Sequence, residues 1–232
     1  MNLAKFLAMN KLLGGSSGGG NDTLKQLTED TLTEIVDNSV EFVGAYAFYN
    51  KTIEKVSFVN ATTINNDAFS GCKKLKHINF PKVTSIKDSA FYNCSNLEDV
   101  NVPNVTALTG NRVFSGCSKL ESICFPKPLA STFYTFSKCT NLKIVDFSCR
   151  YIGTETFKNC TSLKTIINRC ESCATLSSIS NFSSTPFAEG GTGGTVYVPQ
   201  ALIEEHQNAT NWSTLYAAGT CNFVAIEGSE YE

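Results

Sequence analysis

The sequence predicts a right-handed repeat solenoid, in which short parallel strands stack coil upon coil between an N-terminal amphipathic helix and a C-terminal capping helix. Three observations predict it. A Phe recurs as Phe48, Phe69, Phe91, Phe114, Phe136 and Phe157, at steps of 21, 22, 23, 22 and 21 residues. Each Phe after the first is followed by Cys at +3, Leu at +6 and a short apolar alternation, as in Phe91, Cys94, Leu97, Val100 and Val102. Pro81, Pro103 and Pro126 close that alternation, where a ladder strand must stop because Pro has no N–H to donate. A period in the range of roughly 20–50 residues marks a unit that buries its apolar face only by stacking on copies of itself.

The elements follow in chain order. Residues 1–13, MNLAKFLAMNKLL, place Leu3, Phe6, Leu7, Met9, Leu12 and Leu13 on an amphipathic helix suited to anchoring or oligomerisation. Lys5, Asn10 and Lys11 interrupt its apolar run, and no small-residue cleavage site follows, so it is expected to be retained rather than removed as a signal peptide. Residues 14–22, containing GGSSGGG, form a flexible linker. Residues 23–43 are expected to cap the solenoid, laying Ile35, Val36 and Val43 over the first coil. The solenoid itself is predicted over 44–198, with Phe187 as a seventh ladder member after an insertion. Its last strand is GTVYVP, with Val196 and Val198 inward. From Pro199 a helix is expected to run to about Trp212, which with Leu202 and Tyr216 seals the coil end; residues 199–232 form this cap and a tail.

Within a coil, Leu97, Val100 and Val102 alternate inward as a strand requires. The residue just before each ladder Cys is Gly71, Asn93, Gly116, Lys138 or Asn159, with Asn50 in the first copy, where Lys51 replaces the Cys. Gly and Asn accept a left-handed backbone most readily. The segment AFYN therefore reads as one helical turn ended by a left-handed residue.

The ten cysteines divide into two groups. Cys72, Cys94, Cys117, Cys139 and Cys160 fall at one repeat position and are predicted to stack as a spine of reduced, buried thiols, because a free Cys behaves as a small apolar residue. Their Cβ vectors run parallel in a stack, which disfavours pairing. Cys124 falls at an outward strand position, Cys149 follows a strand, and Cys221 lies near the end. Cys170 and Cys173 form the single C-x-x-C; a loop with two thiols, a local disulfide, a metal site and redox chemistry all remain open there.

Nothing else points to catalysis. His77 and His206 are the two histidines. His77 reads as a solvated strand residue, and His206 as a polar helix residue. There is no nucleophile elbow, zincin motif or P-loop, and GGTGG at 190–194 reads as a loop. No enzyme, metal or cofactor is expected. The net charge of −2 makes no electrostatic case for nucleic acid, and no apolar run is long enough to span a membrane.

A solenoid binds through its strand face. The outward positions are Lys55, Ser57, His77, Asn79, Asp99, Asn101, Ser122, Cys124, Ile144, Asp146, Thr165 and Ile167. Of these Lys55, Ser57, His77, Asn79, Asp99, Asn101, Ser122, Asp146 and Thr165 make up the candidate binding face. Turn edges bearing Tyr49, Tyr92 and Tyr134 are a second candidate surface.

The repeat AF-x-[GN]-C-x-x-L-x-x-[IV]-x-[FV]-P-x-VT-x-I resembles the BspA-like leucine-rich repeats over about residues 40–198. That resemblance implies a leucine-rich solenoid and adhesion to host or neighbouring surfaces, with no catalytic residues. The flanks MNLAKFLAMNKLLGGSSGGG and VYVPQALIEEHQNATNWSTLYAA are similar to short repeat proteins of phage and prophage structural regions in gut bacteria. This implies a non-enzymatic virion accessory protein, a tail, fibre or capsid-surface component, assembled in the bacterial cytoplasm where thiols stay reduced. Its expected partners are other virion proteins through the N-terminal helix, a host surface glycan or protein, and copies of itself, with a trimer favoured. The alternative is a bacterial cell-surface adhesin.

Overall fold

The computed structural model describes residues 33–129 and 132–232. The helix expected over 1–13, with Leu3, Phe6, Leu7, Met9, Leu12 and Leu13, therefore lies outside the described residues, as do the linker over 14–22 and most of the cap over 23–43.

Each coil supplies one strand to a main column. Its first part is a parallel sheet of β1 (Glu34–Val36), β3 (Lys55–Ser57), β5 (His77–Asn79) and β7 (Asp99–Asn101). Later coils contribute β9 (Ser122–Leu129), β10 (Ile144–Cys149), β12 (Thr165–Asn168), β14 (Gly194–Val198) and β15 (Cys221–Ala225), also parallel. A second column of two-residue strands holds β2 (Phe42–Val43), β4 (Thr63–Ile64), β6 (Ser85–Ile86) and β8 (Ala107–Leu108), then β11 (Tyr151–Ile152) with β13 (Thr175–Leu176). The register equals the repeat step, so Lys55 pairs with His77 and His77 with Asp99.

The main column breaks between β7 and β9; in the second column Thr132 bridges Ile152 of β11, next to residues 130 and 131 that lie outside the described residues. The break follows the longest Phe step, and β9 is irregular: Phe125 pairs with Phe147 but Pro128 with Ser148, so Pro126 and Lys127 bulge out.

The core is a stack of rings. Phe48, Phe69, Phe91 and Phe114 lie nearly parallel with centroids 5.0, 5.2 and 5.3 Å apart. Phe136 and Phe157 continue the stack at 6.2 and 5.8 Å. The next member is Phe182, 5.6 Å from Phe157, and not Phe187 as the repeat spacing suggests; Phe187 packs behind it at 5.0 Å. Hydrogen bonding explains the choice. Each ladder Phe N–H donates to the carbonyl just before the next ladder Phe, Phe136 to Thr156 and then Phe157 to Asn181. The insertion is absorbed before Phe182, in the 3-10 turn Ile179–Phe182.

The left-handed residues fall at Asn50, Gly71, Asn93, Gly116, Lys138 and Asn159, and again at Ser184 behind Phe182. A second left-handed position, two residues before each Phe, carries no sequence signal: Tyr46, Asp67, Ser89, Arg112, Tyr134 and Glu155, with φ between 51° and 60°. Such residues are strained on their own. Here the kinks turn alternate amides along the solenoid axis. Asp67, Phe69 and Gly71 donate to Asp88, Ala90 and Tyr92 of the next coil, so even the turn column is a hydrogen-bonded ladder.

The ends differ from the sequence-based boundaries. Residues 34–43, read as cap, already form solenoid strands: Ile35 and Val43 point inward, and alternation turns Val36 outward, 57% exposed. At the other end the helix expected from Pro199 to Trp212 is divided. A 3-10 turn (Gln200–Leu202) leads into α1 (Ile203–Asn208), Asn211 takes φ 67°, and Trp212 opens α2 (Trp212–Ala217). The chain then returns to the main sheet as β15, so β14 is not the last strand. Trp212 is fully buried, but against Phe182, Phe223 and His206; Tyr216 is exposed and Leu202 only half-buried.

Candidate functional site

Successive strands in register line up their outward side chains in two rows. One row runs Glu34, Lys55, His77, Asp99, then Ser122, Ile144, Thr165, Thr195 and Asn222. The other runs Val36, Ser57, Asn79, Asn101, then Cys124, Asp146, Ile167, Tyr197 and Val224. All nine residues of the predicted face lie on these rows, but the break separates Asn101 from Ser122.

In the first four coils the residues satisfy one another. Asn101 Nδ2 donates to Asn79 Oδ1 at 2.6 Å, and Asn79 Nδ2 donates to Ser57 Oγ at 2.8 Å. Ser57 is therefore buried, a correction to its reading as an outward binding residue: the Asn79 amide closes over it. Lys55 pairs with Glu34 at 2.8 Å, and His77 Nδ1 lies 3.7 Å from Asp99. Beside the rows, Lys76 pairs with Glu54, Lys119 with Glu98 and Lys143 with Glu121. A shallow cleft of about 470 Å³ at the break is lined by Glu98, Lys119, Glu121 and Asn141.

Later coils add what the sequence reading missed. Arg169 grips Asp146 through two hydrogen bonds, 2.9 and 3.1 Å, and its guanidinium also donates to the Tyr231 carbonyl at 2.8 Å. The Tyr197 ring meets Tyr231 edge-on at 4.7 Å. Tyr197, between inward Val196 and Val198, was readable from strand alternation. Tyr231 lies beyond the last strand and carries no local signal.

Turn-edge tyrosines form no continuous surface. Tyr49 is exposed and meets Tyr46 edge-on, Tyr92 is half-buried, and Arg112 sits over the Tyr134 ring at 5.5 Å.

Cys72, Cys94, Cys117, Cys139 and Cys160 are fully buried. Each Sγ–H donates to the carbonyl of the ladder Phe one coil back, at 2.8 to 3.3 Å: Cys72 to Phe48, Cys94 to Phe69, Cys117 to Phe91, Cys139 to Phe114, Cys160 to Phe136. Burial pushes the Cys72 and Cys139 thiols up to about 12 and those of Cys94, Cys117 and Cys160 well above the ordinary range. A thiol so far from its thiolate is a poor nucleophile. Exposed Cys124 is shifted the same way, by desolvation and then by Asp146. Cys170 is buried and Cys173 half-buried; both are free thiols, with the Cys170 Sγ 3.5 Å from Ser172 Oγ. Asn168, at an inward strand position, holds this corner: its Oδ1 accepts from the Cys149 and Cys170 amides, and its Nδ2 donates to the Cys149 carbonyl.

His206 is buried rather than a polar helix surface residue. Its Nε2 accepts the Ala174 N–H at 3.2 Å, while Nδ1 lies 2.9 Å from the Leu202 carbonyl, where it donates. Trp212 Nε1 donates to the Ala174 carbonyl and Asn211 Nδ2 to the Leu176 carbonyl. These three side chains close the open edge of β13 in place of a further strand. Both ring nitrogens are engaged, which leaves His206 no lone pair for a metal or a substrate proton. Among the described residues, no three His, Cys, Asp or Glu side chains cluster as metal ligands, and no helix is long and apolar enough to cross a membrane.

The sequence matches the family model described as BspA type leucine-rich repeat region, in six copies, over residues 41–164 and 82–187. The chain belongs to that family. Families of this kind are generally non-enzymatic protein-interaction scaffolds. Among solved structures, this BspA-type chain is similar to a leucine rich cell surface protein from Faecalibacterium prausnitzii A2-165, at 20% identity and TM-score 0.53, covering 74% of this chain and 64% of that one. It is also similar to the T. pallidum leucine rich repeat protein TpLRR (24% identity, TM-score 0.47, 57% of this chain and 78% of that one). A leucine-rich repeat protein from Bacteroides ovatus ATCC 8483 is similar at 22% identity and TM-score 0.40, covering 86% of this chain and 64% of that one. No curated protein matches the sequence.

Proposed function

We propose that this chain is a non-enzymatic adhesion module that contacts a protein or glycan through its strand face. One observation carries the reading: two rows of outward side chains held in register across the four and five strands of the main column. A surface of this kind gives fixed spacing and many weak polar contacts, which suits recognition and not bond-making. The shifted thiols and the locked His206 support the same view.

Two carriers fit the module. As a virion accessory protein it would be held to the particle by residues 1–13 and displayed in several copies, a trimer being favoured, so that avidity multiplies a weak face. As a bacterial surface adhesin it would share the setting of the F. prausnitzii protein, which is described as a cell surface protein. Mass spectrometry of density-purified particles and of the cell envelope from the source culture separates them. Stoichiometric copies in particles support the virion reading, and envelope copies without particles support the adhesin. Recovery from neither fraction sinks both.

A further inference from the structure

Ile167 occupies an outward strand position yet is only 2% exposed, while Val224, two strands on in the same row, is 39% exposed. The chain itself covers this part of the face. Residues 226–232 leave β15, and the Glu227 carboxylate accepts the Gln200 N–H at 2.8 Å. They fold into a compact turn: Ser229 Oγ donates to the Ile226 carbonyl, the Tyr231 N–H donates to Ser229 Oγ, and the Gly228 N–H donates to the Glu232 carboxylate. The turn brings Tyr231 onto Tyr197 and hands its carbonyl to Arg169, 62 residues back in the chain.

We infer that the strand face around Ile167, Arg169 and Tyr197 is a peptide-binding surface, occupied in this structure by residues 226–232, and that its partner is a turn of another protein projecting a tyrosine-like ring. Three features specify that partner. The Tyr197 ring offers an edge-on aromatic contact. Asp146 fixes the Arg169 guanidinium through two bonds, leaving N–H free to donate to a backbone carbonyl. Ile167 supplies an apolar floor that favours being covered. Ile226 still donates its N–H to the Val198 carbonyl, but residues 227–232 meet all three without joining the sheet, so a partner turn of similar shape can replace them without unfolding a strand. An intramolecular occupant is present at an effective concentration in the millimolar range, so it weakens binding in trans.

The inference rests on the adhesion-module reading, and its test is separate from the particle and envelope experiment. A fluorescent peptide with the sequence of residues 226–232 is titrated against the full chain and against full-length Tyr231→Ala, followed by anisotropy. Tyr231→Ala is expected to bind the peptide about tenfold or more tighter than the unaltered chain, since the competing ring is gone. Adding Arg169→Ala to that variant is expected to abolish the gain. Hydrogen exchange supplies an independent readout: saturating peptide should raise exchange across 226–232 of the unaltered chain while β14 and β15 stay protected. Equal binding by the two proteins, no binding by either, or full binding by the double variant overturns the inference. A dimer of the unaltered chain that Tyr231→Ala converts to monomers also overturns it, by assigning the contact to a second copy.

Discussion

The strand face changes character along its length. Over the first four coils, exposed Val36 apart, it is polar and closed on itself: Glu34 faces Lys55, His77 faces Asp99, and the amides of Asn79 and Asn101 form a chain ending on Ser57. Beyond the break the same rows carry Ile144, Ile167, Tyr197 and Val224, with Arg169 held by Asp146. A stacked polar row can satisfy itself, because each coil presents a donor to the next at hydrogen-bond distance. Apolar side chains have no such solution and gain by being covered. Tyr231 packs on Tyr197 while Val224 stays 39% exposed, and that makes the second half the place where a partner has something to gain.

The rings beneath are common to both halves, and they supply the largest expected effect. Phe91→Ala should cost about 3–5 kcal/mol in guanidinium unfolding, since the ring is fully buried with stacked neighbours on both sides. Phe136→Ala should cost less, because its neighbours stand 6.2 and 5.8 Å away. Equal losses would show that the looser stacking of the second half has no energetic meaning.

Acid should act next, and only on the second half. Burial holds the His206 ring below the ordinary histidine value, with the Leu202 carbonyl and then Glu205 opposing. The Trp212 and Phe223 rings pack against it. The folded chain refuses a proton that the unfolded chain accepts, so this contribution is complete above about pH 6.5 and is lost as pH falls below it. Hydrogen exchange at pH 5 against pH 7.5, corrected for intrinsic rates, should show α1, α2 and β13 loosening before β3 and β5. A uniform response along the solenoid would break the comparison.

Smaller effects test the spine and the rows. Cys94→Ala removes a buried thiol and its hydrogen bond to Phe69 and should cost about 1–2 kcal/mol. Asn79→Ala leaves both Ser57 and Asn101 without their amide partner and should cost about 1 kcal/mol. Lys143→Ala, at an exposed pair with Glu121, should leave the unfolding midpoint unchanged within error. A loss at Lys143 as large as that at Asn79 would mean that the ion pairs and not the amide chain organise the face.

What the sequence determined by itself was everything that repeats as a residue type. The positions of Phe, Cys and Leu, the alternation into each strand and the Gly or Asn before every ladder Cys but Cys139 are local patterns read against a fixed step, and a solenoid turns that step directly into register. What only the tertiary structure decided lies where the step fails or where residues distant in the chain meet. Phe182 displaced Phe187 because interstrand hydrogen bonds, and not residue counting, choose the ring that joins the stack. The left-handed backbone at Tyr46, Arg112 and Tyr134 follows no residue propensity, since the next coil's carbonyls hold it there. His206 read as a polar helix residue until β13 presented an edge for it to close. Tyr231 became part of the face because a turn of chain carried it back onto Tyr197 and Arg169. Periodicity encodes contacts between neighbouring copies, and the contacts that end a repeat or cover it come from elements without copies.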